Sequence, residues 1–297
     1  MYADSFINFL ELSSSFSTEE IASFLFRFGN HECFALDTGT FARDIFKRVD
    51  FIQNCLETFD ADEQKNIINK IKQSVYFCAG VMPSFKSIEN PVNSVCELEN
   101  AIKEFKASES DFFNHLVAIG PCGLDHDWTS TNENGRTIDF LDRNTIVDEQ
   151  SLFEQQLLLS KKLDLPVVIH SRKSFQETMD VLRSVKGCRG VVHGFSYSLS
   201  ELQFFLNMDF YISFDGTVTF SGKTKAEIEE MVSYVPLNRL LLESDSPYYS
   251  PIPVKGTVNT PENLKYIYEF VSAKRKMQPL KLNEKVQNNF KKLFGIE

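Results

Sequence analysis

Residues 166–195 read PVVIHSRKSFQETMDVLRSVKGCRGVVHGF. Two apolar runs, PVVIHSR (166–172) and GVVHGF (190–195), flank the amphipathic stretch FQETMDVLRSVKG (175–187). Each run is too short for an ordinary helix, rich in β-branched residues and almost continuously hydrophobic. That pattern marks strands covered on both faces, as in parallel α/β sheets. The stretch between them has helical character, and Gly187 is a plausible C-terminal stop. The segment therefore reads strand–helix–strand, and each strand ends on a histidine.

The same alternation extends in both directions. Further strand candidates are VYFCAGVMP (75–83), LVAIGPCG (116–123), DFYISFDG (209–216) and RLLLESDSP (239–247), with weaker ones at YADSFI (2–7) and HECFALDTG (31–39). Helical patterns lie between most of them, including DEQSLFEQQLLLSKKLDL (148–165) and SLSELQFFLNM (198–208). In the latter, Ser198 and Glu201 have the spacing of a capping box. Eight βα units in fewer than 300 residues predict an α/β protein, a single closed (β/α)8 TIM barrel over residues 1–297. An open doubly wound sheet is the alternative, but no Gly-rich phosphate turn follows an early strand. The polar stretch 129–144 is the longest irregular insertion, with Asn134-Gly135 as a turn signal.

Composition narrows the function. A net charge of −10 advertises no broad polyanion-binding surface, although one cleft could still grip a few phosphates locally. The six cysteines are scattered without a C-x-x-C pair, as expected in a reducing compartment. The opening MYADSFINFLE lacks the basic n-region of a signal peptide, and no apolar run reaches the roughly 20 residues of a membrane helix. A cytoplasmic setting is expected, with the nucleus open. The 28 phenylalanines read as core filling.

In a (β/α)8 barrel, functional residues gather at the C-terminal ends of the strands. His170 and His193 end their strands, and Asp245 lies just past LLLE. Two imidazoles and a carboxylate at matching depth suit a divalent metal such as zinc, iron or manganese. Within GPCGLDHDW (120–128), the strand is expected to break at Pro121-Cys122-Gly123. His126 and Asp127 then read as a solvated loop edge and Cys122 as a buried, inert thiol. His31 and His115 lie at strand beginnings and receive no role.

PVVIHSR, VVHGFS with FYISFDGTVTF behind it, and LLLESDSPYYSPIPVKGTVNTPENL resemble signature stretches of the TatD family of metal-dependent deoxyribonucleases and related hydrolases. CAGVMP (78–83) and GPCGLD (120–125) stand where that family has AVGIHP-like and GE-x-GLD-like segments, and NNFKKLFGI (288–296) resembles its closing helix. The resemblance implies an amidohydrolase-like barrel with one or two metal ions, acting on phosphodiesters, commonly at the 3′ end of DNA. It assigns His170, His193 and Asp245 as metal ligands, with Asp245 also the catalytic proton acceptor. It also shows what is missing. DSFIN places Phe6 and Asn8 where the family has an H-x-H pair, Pro121 stands at its bridging glutamate, and Met82 stands at a further histidine.

These substitutions remove the two-ion centre from the expectation. At most one zinc, manganese or magnesium ion remains, or none. Glu243 is expected to orient a histidine N–H. Arg172 and Lys255 are expected to contact a substrate phosphate, although Arg172 reads equally well as a surface salt-bridge partner. Two functions follow. One is a divergent hydrolase, nuclease-like, with weak or absent activity on DNA or another phosphodiester. The other is a pseudoenzyme, a barrel that binds nucleic acid, a phosphorylated ligand or a protein.

Overall fold

Eight parallel strands follow one another in chain order: β1 (Ala3–Ile7), β2 (Phe34–Asp37), β3 (Val75–Ala79), β4 (Leu116–Asp125), β5 (Val167–Arg172), β6 (Gly190–Val192), β7 (Tyr211–Phe214) and β8 (Leu240–Leu242). Helices intervene, so the fold is of the (β/α)8 class. The structure is a computed structural model that describes residues 2–31, 33–60, 63–127, 143–220 and 225–296. Its contacts group into two compact units, one of residues 1–37, 46–77 and 193–297, the other of residues 38–45 and 78–192.

The first unit carries β7, β8, β1, β2 and β3 side by side. Its seam joins the last strand to the first. The Asp245 N–H donates to the Phe6 carbonyl at 3.0 Å, and the Asn8 N–H donates to the Ser246 carbonyl at 3.0 Å. Leu240, Leu241 and Leu242 are wholly buried, each contributing roughly 1.5–3 kcal/mol by leaving water. Helix Leu264–Lys274 supports β1 through Tyr268, whose hydroxyl accepts the Ala3 N–H at 3.1 Å and donates to the Ala3 carbonyl at 2.9 Å. Helix Pro279–Phe294 clips the start of β8, with the Asn289 amide donating to the carbonyls of Leu237 and Leu240, both at 2.8 Å. Asp37 at the end of β2 is buried against Arg48 and also accepts the Phe9 N–H at 3.0 Å.

The second unit carries β4, β5 and β6. The expected break at Pro121-Cys122-Gly123 does not occur: β4 continues, fully buried, to Asp125. The register against β5 shifts between Ile119 and Cys122, so the strand absorbs an irregularity and then resumes pairing. Glycine makes this feasible. Gly123 has a φ of +144°, and a Cβ there would lie 1.9 Å from the His170 carbonyl oxygen. The Gly120–Pro121 peptide is cis.

The predicted helices form with small changes at their ends. The stretch expected to end at Gly187 is helical over Phe175–Ser184, and the Val185 N–H closes its last turn on Val181. Helix Leu199–Asn207 carries the expected capping box between Ser198 and Glu201. The insertion at 129–144 falls outside the described residues, except that helix Arg143–Leu163 starts at its end. Among the described residues, no helix is long and apolar enough to cross a membrane.

Candidate active site

In the first unit, His193 leaves the end of β6 and is almost fully buried. The Phe6 ring lies flat against its imidazole, with centroids 3.9 Å apart and planes 8° from parallel. Glu243, wholly buried just after β8, brings a carboxylate oxygen to 3.4 Å from His193 Nδ1. That carboxylate is fixed from several sides. It accepts the Gly194 N–H at 2.5 Å and the Ser5 hydroxyl at 3.3 Å, and Ser5 also pairs with Ser213 at 2.8 Å. Glu243 thus sits beside a histidine, where its sequence position placed it.

Three more buried carboxyls join this unit. Asp245 adopts a left-handed backbone, φ 53°, at the seam between β8 and β1. Burial, followed by repulsion from Asp215 and Glu243, raises its pKa well above the ordinary range. Asp215, just past β7, accepts the Thr217 N–H at 2.9 Å. Burial and the neighbouring Glu243 push Asp215 up to about 6. Asp4, inside β1, accepts the Ser244 N–H at 2.8 Å through Oδ1, and burial lifts it to about 7. These are acids held toward their neutral forms by removal from water and by each other.

Asn8 does not offer its amide oxygen to this cluster. Its Oδ1 accepts the Glu11 N–H at 2.9 Å and caps the short helix Phe9–Leu12, a usual role for asparagine at that position. Lys255 lies with its ammonium 3.9 Å from the centre of the Phe220 ring, a cation–π contact.

In the second unit, His170 at the end of β5 directs Nε2 toward Asp125 Oδ2, 3.2 Å away. Burial alone would raise the Asp125 pKa, but the hydrogen bond and charge of His170 outweigh it and hold the carboxyl at about 2. Glu149, wholly buried on helix Arg143–Leu163, accepts the Asp125 N–H at 2.8 Å and lies 3.4 Å from His126 Nε2. His126 and Asp127 are therefore not a solvated edge. The His126 side chain is one-tenth exposed, and Asp127 is gripped by both Arg172 and Lys173. The strand carries on to Asp125 and brings both residues against the exit of β5, which the expectation of an early break had obscured. Arg172 is thus engaged as a salt-bridge partner on a half-exposed surface. Cys122 is wholly buried, and burial raises its thiol pKa beyond the range of a useful nucleophile. Pro121 is buried in β4, and Met82 donates its N–H to the Thr40 carbonyl at 3.0 Å.

Among the described residues, no three histidine, cysteine, aspartate or glutamate side chains gather closely enough to hold one ion together. Asp4, Asp215 and Glu149 were absent from the sequence reading. Asp4 and Asp215 are acids in or just past a strand and Glu149 is one of several charged residues on its helix, a signal that becomes distinctive only when burial is known.

Imidazoles and buried carboxyls follow the strands of this (β/α)8 fold, the end at which enzymes of the barrel class carry their chemistry. Two solved structures cover the whole chain with that fold. A TatD-family hydrolase from Entamoeba histolytica superposes with a TM-score of 0.75 at 19% identity, over 98% of its own chain. The TatD homologue YjjV from Escherichia coli K12 does so with a TM-score of 0.71 at 22% identity, again over 98% of its chain. The chain belongs to the TatD related DNase family, whose match spans residues 39–295. A protein of Buchnera aphidicola (subsp. Acyrthosiphon pisum), named an uncharacterized metal-dependent hydrolase, is 30% identical over 82% of this chain and 85% of its own. The 3'-5' ssDNA/RNA exonuclease TatD of Rahnella sp. is 31% identical over 66% of this chain and 72% of its own.

Proposed function

We propose that this chain is a TatD-family hydrolase with a reduced metal centre, holding at most one divalent ion and hydrolysing phosphodiesters weakly or not at all. The observation that carries this reading is the Phe6 ring lying flat on His193, at a position where the family resemblance expects an imidazole. A benzyl ring supplies no lone pair to a cation. The other two substituted positions point the same way. The Asn8 oxygen is committed to a helix cap, and Pro121 has no side-chain donor at all. Two-ion catalysis needs one ion to generate hydroxide and another to stabilise the leaving oxygen, about 3.5–4 Å apart. The donors present do not fit such a pair.

His170 in the second unit, and His193 and Asp245 in the first, remain the candidate ligand residues that the family resemblance implies, with Asp245 the candidate proton acceptor. Each carries an attachment that metal binding would have to displace or exploit. His170 is held by Asp125, His193 is covered by Phe6 on one face, and burial raises the proton affinity of the Asp245 carboxyl. The proposed substrate is a nucleic-acid phosphodiester, supported by family membership and by the Rahnella exonuclease. Lys255 is a candidate phosphate contact, and Arg172 becomes one if it releases Asp127. The proposed setting is the cytoplasm or nucleus.

Metal analysis after purification and reconstitution with zinc or manganese tests the proposal. It should give no more than one ion per chain, with cleavage of a 3′-ended single strand far below that of a relative retaining all ligands. Two bound ions, or vigorous cleavage, would overturn it. The combined change Phe6→His, Asn8→His and Pro121→Glu should raise zinc affinity in calorimetric titration. Unchanged zinc binding by that variant, if it folds, would mean that these positions do not correspond to the family's ligands.

A further inference from the structure

Within the second unit, Asp127 meets two cations where β4 and β5 end. One oxygen of its carboxylate takes the Arg172 guanidinium and the other takes the Lys173 ammonium at 2.5 Å. Exposure is divided unevenly among the three. The Asp127 side chain is 12% exposed, whereas those of Arg172 and Lys173 are 43% and 65% exposed. The acid is thus sunk between two positive groups that face water. The backbone fixes this placement. The Asp127 N–H donates to Asp125 Oδ1 at 2.9 Å, and the His126 N–H donates to the Arg172 carbonyl at 2.9 Å. Lys173 takes a left-handed backbone, φ 52°, which a long side chain adopts only when its surroundings impose it. Buried hydroxyls on either side of it supply that constraint. Ser174 donates to the Leu124 carbonyl at 3.0 Å, and the Ser171 hydroxyl pairs with that of Thr178 at 2.7 Å.

We propose that Arg172 and Lys173 form a site for a phosphate dianion, and that Asp127 is its built-in competitor, displaced whenever the anion binds. The inference rests on the proposed reading of Arg172 as a phosphate contact; it adds Lys173 as the second cation and Asp127 as the control on both. Charge and shape carry it. A carboxylate offers a single charge and a pair of oxygens, whereas a phosphate monoester offers about two charges and three acceptor oxygens. A guanidinium fork beside an ammonium is the pairing that proteins use to hold such a group. Each ion pair to Asp127 is partly exposed and therefore weak, because water screens it and long side chains must be ordered to make it. Rotation of the Asp127 side chain releases both cations at once, while its backbone bond to Asp125 stays. The neighbouring acids do not turn with it. Asp125 is held by His170 at 3.2 Å and stays within the field of Arg172, and Glu149 faces His126 at 3.4 Å. With Asp127 in place, Asp125 and Asp127 match the two cations, and an arriving anion gains little. With Asp127 turned away, the exposed pair is left one negative partner short.

The test is an NMR titration of the full chain with inorganic phosphate at about pH 8, with EDTA present and chloride holding the ionic strength constant. In the wild type, the backbone amides of Asp127, Arg172 and Lys173 should shift together as phosphate binds weakly and saturably. Asp127→Asn keeps the amide bond to Asp125 and removes the competing charge. Phosphate should then bind about tenfold more tightly, the scale of two weak ion pairs released. Arg172→Gln in that background should abolish the gain. Dimethyl phosphate, a monoanion, should bind less tightly than phosphate throughout. Thymidine 5′-monophosphate separates the sources: tighter binding than phosphate marks a nucleotide end as the occupant, and equal binding marks the free ion. Unchanged affinity in a folded Asp127→Asn chain, or a gain that survives Arg172→Gln, would overturn the proposal. So would dimethyl phosphate binding as tightly as phosphate. Should the variants fail to fold, the wild type decides, because a titration that leaves those three amides unmoved overturns it. Chelation makes the readout binding alone, so failure here leaves the hydrolase reading standing. Phosphate binding in a chain that cleaves nothing counts against hydrolysis alone.

Discussion

Asp4 lies wholly buried two residues before the ring that covers His193, and its carboxyl is lifted from an ordinary 3.8 to about 7. The folded chain therefore holds this proton more tightly than the unfolded chain does. Between about pH 4 and pH 7 the unfolded state releases the proton first, so stability contributed by the neutral acid falls as pH rises, and the loss is complete above about pH 7. Asp4→Asn keeps the Oδ1 that accepts the Ser244 N–H but removes the ionisation. Urea midpoints measured from pH 5 to pH 8 should fall less steeply in this variant than in the wild type. A wild-type slope retained in full would show that Asp4 titrates normally.

At this scale the sequence was half legible. His170, His193 and Asp245 stood out because a polar side chain ending an apolar run contradicts its surroundings. Phe6, Asn8 and Pro121 were legible only against a known pattern, and nothing in the string foretold that Phe6 would stack on His193 or that Asn8 would cap a helix. Asp215 and Glu149 escaped notice because an isolated acid becomes unusual only once it is buried, and burial is a property of packing.

Among the elements, β8 shows how three residues can be held in place from outside. Its leucines are wholly buried, while one amide from helix Pro279–Phe294 satisfies the carbonyls of Leu237 and Leu240. Asn289→Ala would leave two carbonyls without that donor in a nearly dry environment, at a cost of about 1–3 kcal/mol. Leu241→Ala should cost more, about 2–5 kcal/mol, because it opens a cavity as well as forfeiting burial. Chemical denaturation of both variants should preserve that order, and a larger loss from Asn289→Ala would show that the helix clip outweighs core packing. The strands were readable from continuous apolar runs, the pattern of strands covered on both faces. β4 was misread because Pro and Gly usually punctuate a strand. Here two glycines with positive φ, Gly120 and Gly123, let it bulge and continue.

For the molecule as a whole, a charge of −10 sets the terms on which any polyanion is met. The first compact unit draws on residues 1–37, 46–77 and 193–297, whereas the second is nearly continuous at 78–192. During synthesis at about 5–20 residues per second, β1 leaves the ribosome long before Tyr268 and the seam residues that satisfy its backbone. The nascent chain thus carries one unpaired edge of β1 for most of its translation, until the seam residues after β8 emerge.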